Sequence, residues 1–281
     1  MIDLHSHTTA SDGVLSPAAL VDRAASESID LLSVADHDTV GGLASASAQA
    51  DTRGIRFVPS IELSVEWKGG DFHLLGYGID ASNGELLEGL RALRSIREAR
   101  IPRIVERLRE AGLSLSLDDV LAEAADAVPG KPHVARAMVK KGISRDFEHA
   151  FDEWLSHGRA GDVPKEKITP AEAFRLLRAA GGVPVIAHPI TLGIDRAQFG
   201  DFLERFKPEG LRGVEAYAEL HSDGDVAFYL EAAARAGLIA TGGSDFHGDK
   251  IERLGCYGRD RVIPDVCGVN LLAALGGSCR S

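Results

Sequence analysis

Strand-like and helix-like segments alternate along both ends of this chain, and that order limits the fold more than any other feature. After a turn at Asp12-Gly13, Ser16-Pro17 supplies an N-cap followed by proline at the first helical position, and 18–28 reads as a helix. Residues 29–35 form an apolar strand, 39–53 an alanine-rich helix, and 55–61 a third strand. The order resumes at Thr169-Pro170-Ala171-Glu172, a capping box that opens a helix ending at Gly181-Gly182. Strands at 183–187, 213–217 and 238–241 then alternate with helices at 197–206 and 223–236. Such alternation predicts a parallel sheet with right-handed crossovers, where function collects at the C-terminal ends of the strands.

The middle of the chain differs. Residues 71–80 read as one more strand, carrying His73. Residues 85–111 form a long Arg- and Leu-rich helical stretch, and Pro102 inside it should kink that helix or start a new one. Shorter helices follow at 117–127, 132–141 and 147–155. An all-helical insertion over 84–165 is therefore expected, set into an α/β domain made of 1–83 and 166–281. The 281 residues suit one barrel-sized domain plus such an insertion.

Histidines concentrate where the strands end. His5 and His7 sit two apart on a short apolar strand, so both face one side, and Asp12 follows in a turn. The second strand leads to Asp36-His37-Asp38, the third to Glu62, and later ones to His188-Pro189 and Asp245-Phe246-His247. One histidine so placed is more often a satisfied core or surface residue. The joint pattern has little structural reason to occur, and it points to a multinuclear metal site built from imidazole and carboxylate.

Asp3-Leu4-His5-Ser6-His7-Thr8, Ala35-Asp36-His37-Asp38, Ala187-His188-Pro189 and Ser244-Asp245-Phe246-His247 resemble, in order, the four motifs of the polymerase and histidinol phosphatase (PHP) superfamily. The resemblance spans the whole chain. Asp12-Gly13, Gly54-Ile55, the segment Gly76-Tyr77-Gly78-Ile79-Asp80 and Pro132-His133-Val134-Ala135-Arg136 make it most similar to the stand-alone branch of 3′,5′-nucleoside bisphosphate phosphatases and the related 5′-to-3′ exoribonuclease. The resemblance implies a distorted (β/α)7 PHP barrel holding two to three divalent ions. It implies one ion on His5, His7, Glu62 and Asp245, a second on Asp12, His37 and His247, and a third on Glu62, His73 and His188. Asp12 stands where some relatives carry histidine; the added oxygen ligand favours manganese, or iron, over zinc.

The same resemblance places substrate-phosphate contacts at Arg136 and Lys165, with His133 close by and Arg159 a weaker candidate. Without it, Arg136 and Lys165 would read as solvated helix positions. His221 is a candidate general acid or an exposed loop histidine; His149 and His157 read as surface residues of the insertion. Trp67 and Trp154 read as packing, with Trp67 near enough to Glu62 to border a pocket, and Phe246 as the anchor of its loop.

The expected reaction is hydrolysis of the 3′-phosphate of a nucleoside 3′,5′-bisphosphate, or trimming of a short 5′-phosphorylated oligoribonucleotide, by a hydroxide bridging two ions. A histidinol-phosphate-type or other small phosphomonoesterase is the alternative, and a non-catalytic PHP accessory module a second one. A net charge of −11 argues against a stable nucleic-acid partner and leaves a small phosphorylated nucleotide or a short RNA 5′ end. No apolar run nears the roughly 20 residues that cross a membrane, and the N-terminus lacks the basic-then-apolar order of a secretory signal. Cys256, Cys267 and Cys279 are odd in number and form no CxxC, which reads as reduced thiols in a cytoplasmic protein.

Overall fold

The computed structural model describes residues 1–124, 129–163, 167–248, 253–258 and 260–276, except for the side chains of 96–98. Lys165, Cys279 and the end of the helix expected at 117–127 lie outside these residues.

Seven strands form one sheet in chain order: β1 (Ile2–Asp3), β2 (Leu31–Val34), β3 (Arg56–Val65), β4 (Phe72–Tyr77), β5 (Val183–Ile186), β6 (Gly213–Tyr217) and β7 (Ile239–Gly242). The first three run parallel, as do the last three. β4 breaks the expected parallel order, being antiparallel to both β3 and β5. Only residues 66–71 separate β3 from β4, too short a link for the crossover that a parallel pair requires. Past the strand ends, a Ser6–Phe246 bridge, with His7 N–H donating to Phe246 O (2.8 Å) and Asp245 N–H to His5 O (2.9 Å), links the first strand to the last. The sheet is thereby a nearly closed barrel.

Helices α1 (Pro17–Ser26), α2 (Leu43–Arg53), α7 (Pro170–Ala179), α8 (Arg196–Phe206) and α9 (Asp223–Ala236) connect the strands. Ser16 and Thr169 cap α1 and α7 as expected, their hydroxyls accepting from Ala19 N–H and Glu172 N–H. The Glu172 carboxylate pairs with Arg175 instead of closing a capping box; the reciprocal box occurs at Ser222 and Asp225, ahead of α9. α2 begins four residues later than expected, because Gly41-Gly42 disfavours an earlier start. Inside the barrel, Leu4, Val58, Leu75, Tyr77 and Val185 pack with Ile263, Cys267 and Leu271, the last two from α10 (Val266–Ala274). A two-stranded hairpin, β8 (Cys256–Tyr257) with β9 (Arg261–Val262), precedes α10.

The chain divides into two compact units, Met1–Gly89 with Ile168–Ser281, and Leu90–Lys167. The second is helical. It contains most of α3 (Gly84–Glu110), then α4 (Leu117–Ala124), α5 (Lys131–Lys140), α6 (Phe147–Ala150) and a π-helical turn, Phe151–Leu155. Its own core joins Ile101, Ile104, Val105 and Leu108, one face of α3, to Val120, Val134, Met138 and Leu155. α3 runs as one helix through Pro102, so the proline does not start a new one. No described helix is long and apolar enough to cross a membrane.

Candidate metal centre

β1 ends at Asp3, so His5 and His7 lie just past the strand rather than on it. Their extended backbone is held by the ladder to residues 245–246. The aspartates of the motifs act as ties. Asp3 accepts from His5 N–H, from both N–H and hydroxyl of Ser244, and from Gly255 N–H, at 2.6–3.2 Å. Burial raises its carboxyl to about 6, against those hydrogen bonds. Asp36 accepts from Thr8 N–H, Thr8 hydroxyl and Ser11 hydroxyl, each at 2.7 Å, and so fixes the turn that presents Asp12. Asp38, at φ 52°, holds Ser64 through backbone and hydroxyl at 2.8 Å.

Glu62 is the centre of the cluster. Its sequence position suggests a strand end, yet it lies within β3, paired with Leu75. β2 has already ended beside it, where His37 bridges to Glu62. Glu62 Oε1 is 3.0 Å from His73 Nδ1 and 3.0 Å from His188 Nε2. Oε2 is 3.0 Å from His37 Nδ1 and 3.3 Å from both His5 Nε2 and His7 Nε2. The carboxylate is fully buried, and five imidazoles surround it.

Three ligand groups result. His5, His7, Glu62 and Asp245 form the first. Their facing atoms are 3.1–3.4 Å apart, including 3.1 Å between His5 Nε2 and His7 Nε2 and 3.1 Å from His7 Nε2 to Asp245 Oδ1. An ion bound at about 2.0–2.2 Å keeps neighbouring ligand atoms about 2.8–3.5 Å apart, so this spacing fits one. Asp12, His37 and His247 form the second, and His7 joins them. There Asp12 lies 3.4 Å from His247 Nε2 and 3.8 Å from both His37 Nε2 and His7 Nδ1. His7 thus offers one ring nitrogen to each group, which spacing along the chain did not reveal. The third contains Glu62 and His73 with His37; His188 adjoins it, 3.4 Å from His73 Nδ1.

The electrostatics are those of a site made for cations. Burial disfavours charge on His5, but Glu215, Glu62 and Asp245 outweigh it and hold its pKa well above the imidazole range. His7 rises to about 9, burial being overcome by a hydrogen bond to Asp245 and by the neighbouring Glu62 carboxylate. Glu62 is held well below the carboxylate range despite burial, by His37, His73 and His5. Asp245 and Asp12 are likewise lowered against burial by neighbouring imidazoles. Among the imidazoles His5, His7, His73, His188 and His247, only that of His73 is lowered, chiefly by burial.

Hydrogen bonding does not account for the arrangement. His7 Nδ1, His37 Nδ1 and Glu62 Oε2 are buried without a hydrogen-bond partner, although His37 Nδ1 and Glu62 Oε2 are only 3.0 Å apart. Such groups are costly unless something else engages them. Atoms that converge without hydrogen-bond geometry, from nitrogen and oxygen donors together, fit divalent ions well. Asp245 (φ 54°) and His188 (φ 22°) add backbone strain, a common mark of functional sites.

The remaining candidates fall elsewhere. His221 is buried, donates Nδ1–H to Ala216 O (2.8 Å), and has an unpartnered Nε2; burial lowers its pKa. It is not an exposed loop histidine and belongs to none of the three groups. His133 and exposed Arg136 are on α5, where His133 Nδ1 accepts from Gly130 N–H and burial, with Arg136, lowers its pKa. Arg159 is exposed, and His157 stands 3.0 Å from Asp162. His149 Nδ1 lies 2.6 Å from the Ser144 hydroxyl. Trp67 packs edge-on against Phe72 and Phe202 and donates to Leu192 O, a core role; Trp154 packs on the helical unit's core. Glu215 escaped sequence reasoning. It is buried on β6, 3.0 Å from His5 Nδ1, and a lone strand glutamate outside any motif gives no signal.

A nearly closed PHP-type barrel with this histidine–carboxylate cluster defines a metal-dependent phosphoesterase. No family model matches the chain. It is 34% identical over 271 residues, 95% of this chain and 93% of the relative, to the 3′,5′-nucleoside bisphosphate phosphatase of Chromobacterium violaceum. It is 33% identical over 246 residues, 87% of this chain and 89% of the relative, to the 5′-3′ exoribonuclease of Haemophilus influenzae. Among solved structures, an amidohydrolase of Chromobacterium violaceum with bound sulfate and no metal aligns at a TM-score of 0.80 and 33% identity, covering 98% of this chain and 96% of its own. One from Bifidobacterium adolescentis, described as a metal-dependent phosphoesterase, aligns at 0.79 and 29%, covering 96% and 95%. The chain belongs to the PHP family of 3′,5′-nucleoside bisphosphate phosphatases and 5′-3′ exoribonucleases.

Proposed function

We propose that this enzyme hydrolyses the 3′-phosphate of nucleoside 3′,5′-bisphosphates and also trims short oligoribonucleotides from a phosphorylated 5′ end. The observation that carries this reading is Glu62, both of whose oxygens face imidazole nitrogens at 3.0–3.3 Å, in a chain of this family. His5, His7, Glu62 and Asp245 would hold one ion, Asp12, His37 and His247 a second, and Glu62, His73 and His188 a third. Manganese suits this mixed nitrogen and oxygen set, with iron or zinc as substitutes. Bound divalent ions supply Lewis-acid charge to phosphoryl oxygens and make water a better nucleophile.

The chain's own groups do the rest. Arg136 and Lys165 grip non-bridging oxygens, Arg136 in bidentate fashion, and His133 assists. Arg136, Lys165 and His133 all belong to the helical unit, Leu90–Lys167. Charge distribution supports that division: residues 90–167 carry 15 of the 31 Lys and Arg but 13 of the 42 Asp and Glu, a net of +2 against −13 elsewhere. His221 Nε2, unpartnered and buried, takes up a proton and gives it to the departing 3′-oxygen. Water adds to phosphorus, the P–O3′ bond breaks, and a nucleoside 5′-phosphate leaves with inorganic phosphate. Buried free thiols at Cys256 and Cys267 suit a reducing, cytoplasmic setting.

A manganese-supplemented assay with adenosine 3′,5′-bisphosphate, AMP, histidinol phosphate and a 5′-phosphorylated trinucleotide tests this. The bisphosphate should yield AMP and phosphate, the trinucleotide should shorten from its 5′ end, and AMP should persist. Faster hydrolysis of histidinol phosphate than of the bisphosphate would overturn the assignment.

A further inference from the structure

We propose that Glu215 is a positioning residue of the metal centre, one carboxylate that sets two ligand residues of different groups; this rests on the metal reading above. Oε1 lies 3.0 Å from His5 Nδ1, and Oε2 accepts from the backbone N–H of His188 at 2.7 Å. All three residues are buried.

An ionised carboxylate only accepts hydrogen bonds, so each partner must donate. His5 therefore keeps a proton on Nδ1, and Nε2 is the nitrogen that would give up its proton and offer a lone pair to an ion. That nitrogen faces His7 Nε2 at 3.1 Å, Glu62 Oε2 at 3.3 Å and Asp245 Oδ1 at 3.4 Å. The second oxygen acts on backbone instead. His188 sits at φ 22°, ψ 63°, a conformation that persists only where its surroundings hold it. Glu215 fixes its N–H, while the ring is set by Nδ1 against the Thr191 hydroxyl (3.0 Å) and Nε2 against Glu62 Oε1 (3.0 Å).

The plain alternative is a structural tie such as Asp3. Asp3, however, bonds only backbone N–H groups and a serine hydroxyl. Glu215 touches a ligand imidazole at the nitrogen opposite the one it offers. An amide could not replace it, since one side of a glutamine would point N–H at N–H. Either His5 would change tautomer or His188 would lose its anchor.

Calorimetric titration of metal-free protein with Mn²⁺, alongside thermal unfolding of the same samples, separates the two roles. Glu215→Gln should unfold cooperatively without metal and bind Mn²⁺ about 10–100-fold more weakly than wild type, as loss of an outer hydrogen bond to a ligand does elsewhere. Glu215→Asp, which keeps the charge but reaches one donor, should fall between them. A lowered melting temperature with Mn²⁺ affinity within about twofold of wild type would overturn the inference and leave only a tie. Should the Gln variant not fold, the Asp titration decides by the same criteria. Wild type that binds no Mn²⁺ would instead sink the metal reading itself.

Discussion

Single residues in this barrel are read correctly only with their surroundings. The motif aspartates Asp3, Asp36 and Asp38 sit beside the ligands in sequence, and each is spent on backbone and hydroxyl donors. Glu62 was legible as a ligand but not as a mid-strand residue, because strands ending at different heights leave no trace in composition. Glu215 was not legible at all: its partners are 210 and 27 residues away, outside any motif. Cys267 offers a test at this scale. Burial, with Glu215 nearby, pushes its thiol from 9.0 up to about 12. Folding thus favours the neutral thiol, so that contribution to stability is intact below about pH 9 and is lost as pH rises toward about 12. Urea-unfolding midpoints should fall over that alkaline range, less so in Cys267→Ala, and native protein at about pH 8.5 should resist iodoacetamide at this position. Ready alkylation of the folded chain would contradict the burial argument.

At the level of elements, the alternation of strands and helices carried most of the architecture. β6 and α9 match their expected bounds, since glycine and a capping serine punctuate them. Strand direction was less visible. The pattern of apolar residues in β4 is the same whichever way it runs, and only the short 66–71 link betrays a hairpin. The closure between first and last strands is likewise set by a contact rather than a motif. A Cβ at Gly243 would stand 2.6 Å from His5 N and 2.8 Å from His5 Cα, so no side chain fits there. Gly243→Ala should cost about 1–3 kcal/mol of stability through overpacking. It should also weaken Mn²⁺ binding by parting Asp245 from His5. Denaturant unfolding and metal titration check both effects; a variant that melts and binds like wild type would show the strands are not in such close contact.

Across the whole molecule, composition and function meet in the charge. The unit holding the metal centre carries a net charge of −13, more than the −11 of the whole chain, and its buried carboxylates are balanced in the bare protein by protonated imidazoles. Ions take over that role when they bind, releasing protons as they do. The centre is assembled from residues 5 to 247, brought together by barrel closure, and among the described residues Glu62 is the one side chain within reach of five histidines. Metal content of wild type and Glu62→Gln, measured by mass spectrometry after manganese loading and gel filtration, with 3′-phosphatase activity on the same samples, tests this most directly. Wild type should retain two to three ions, while the variant should lose at least one and about 100-fold or more in kcat. A full metal complement in Glu62→Gln, or full activity in metal-free wild type, would contradict it.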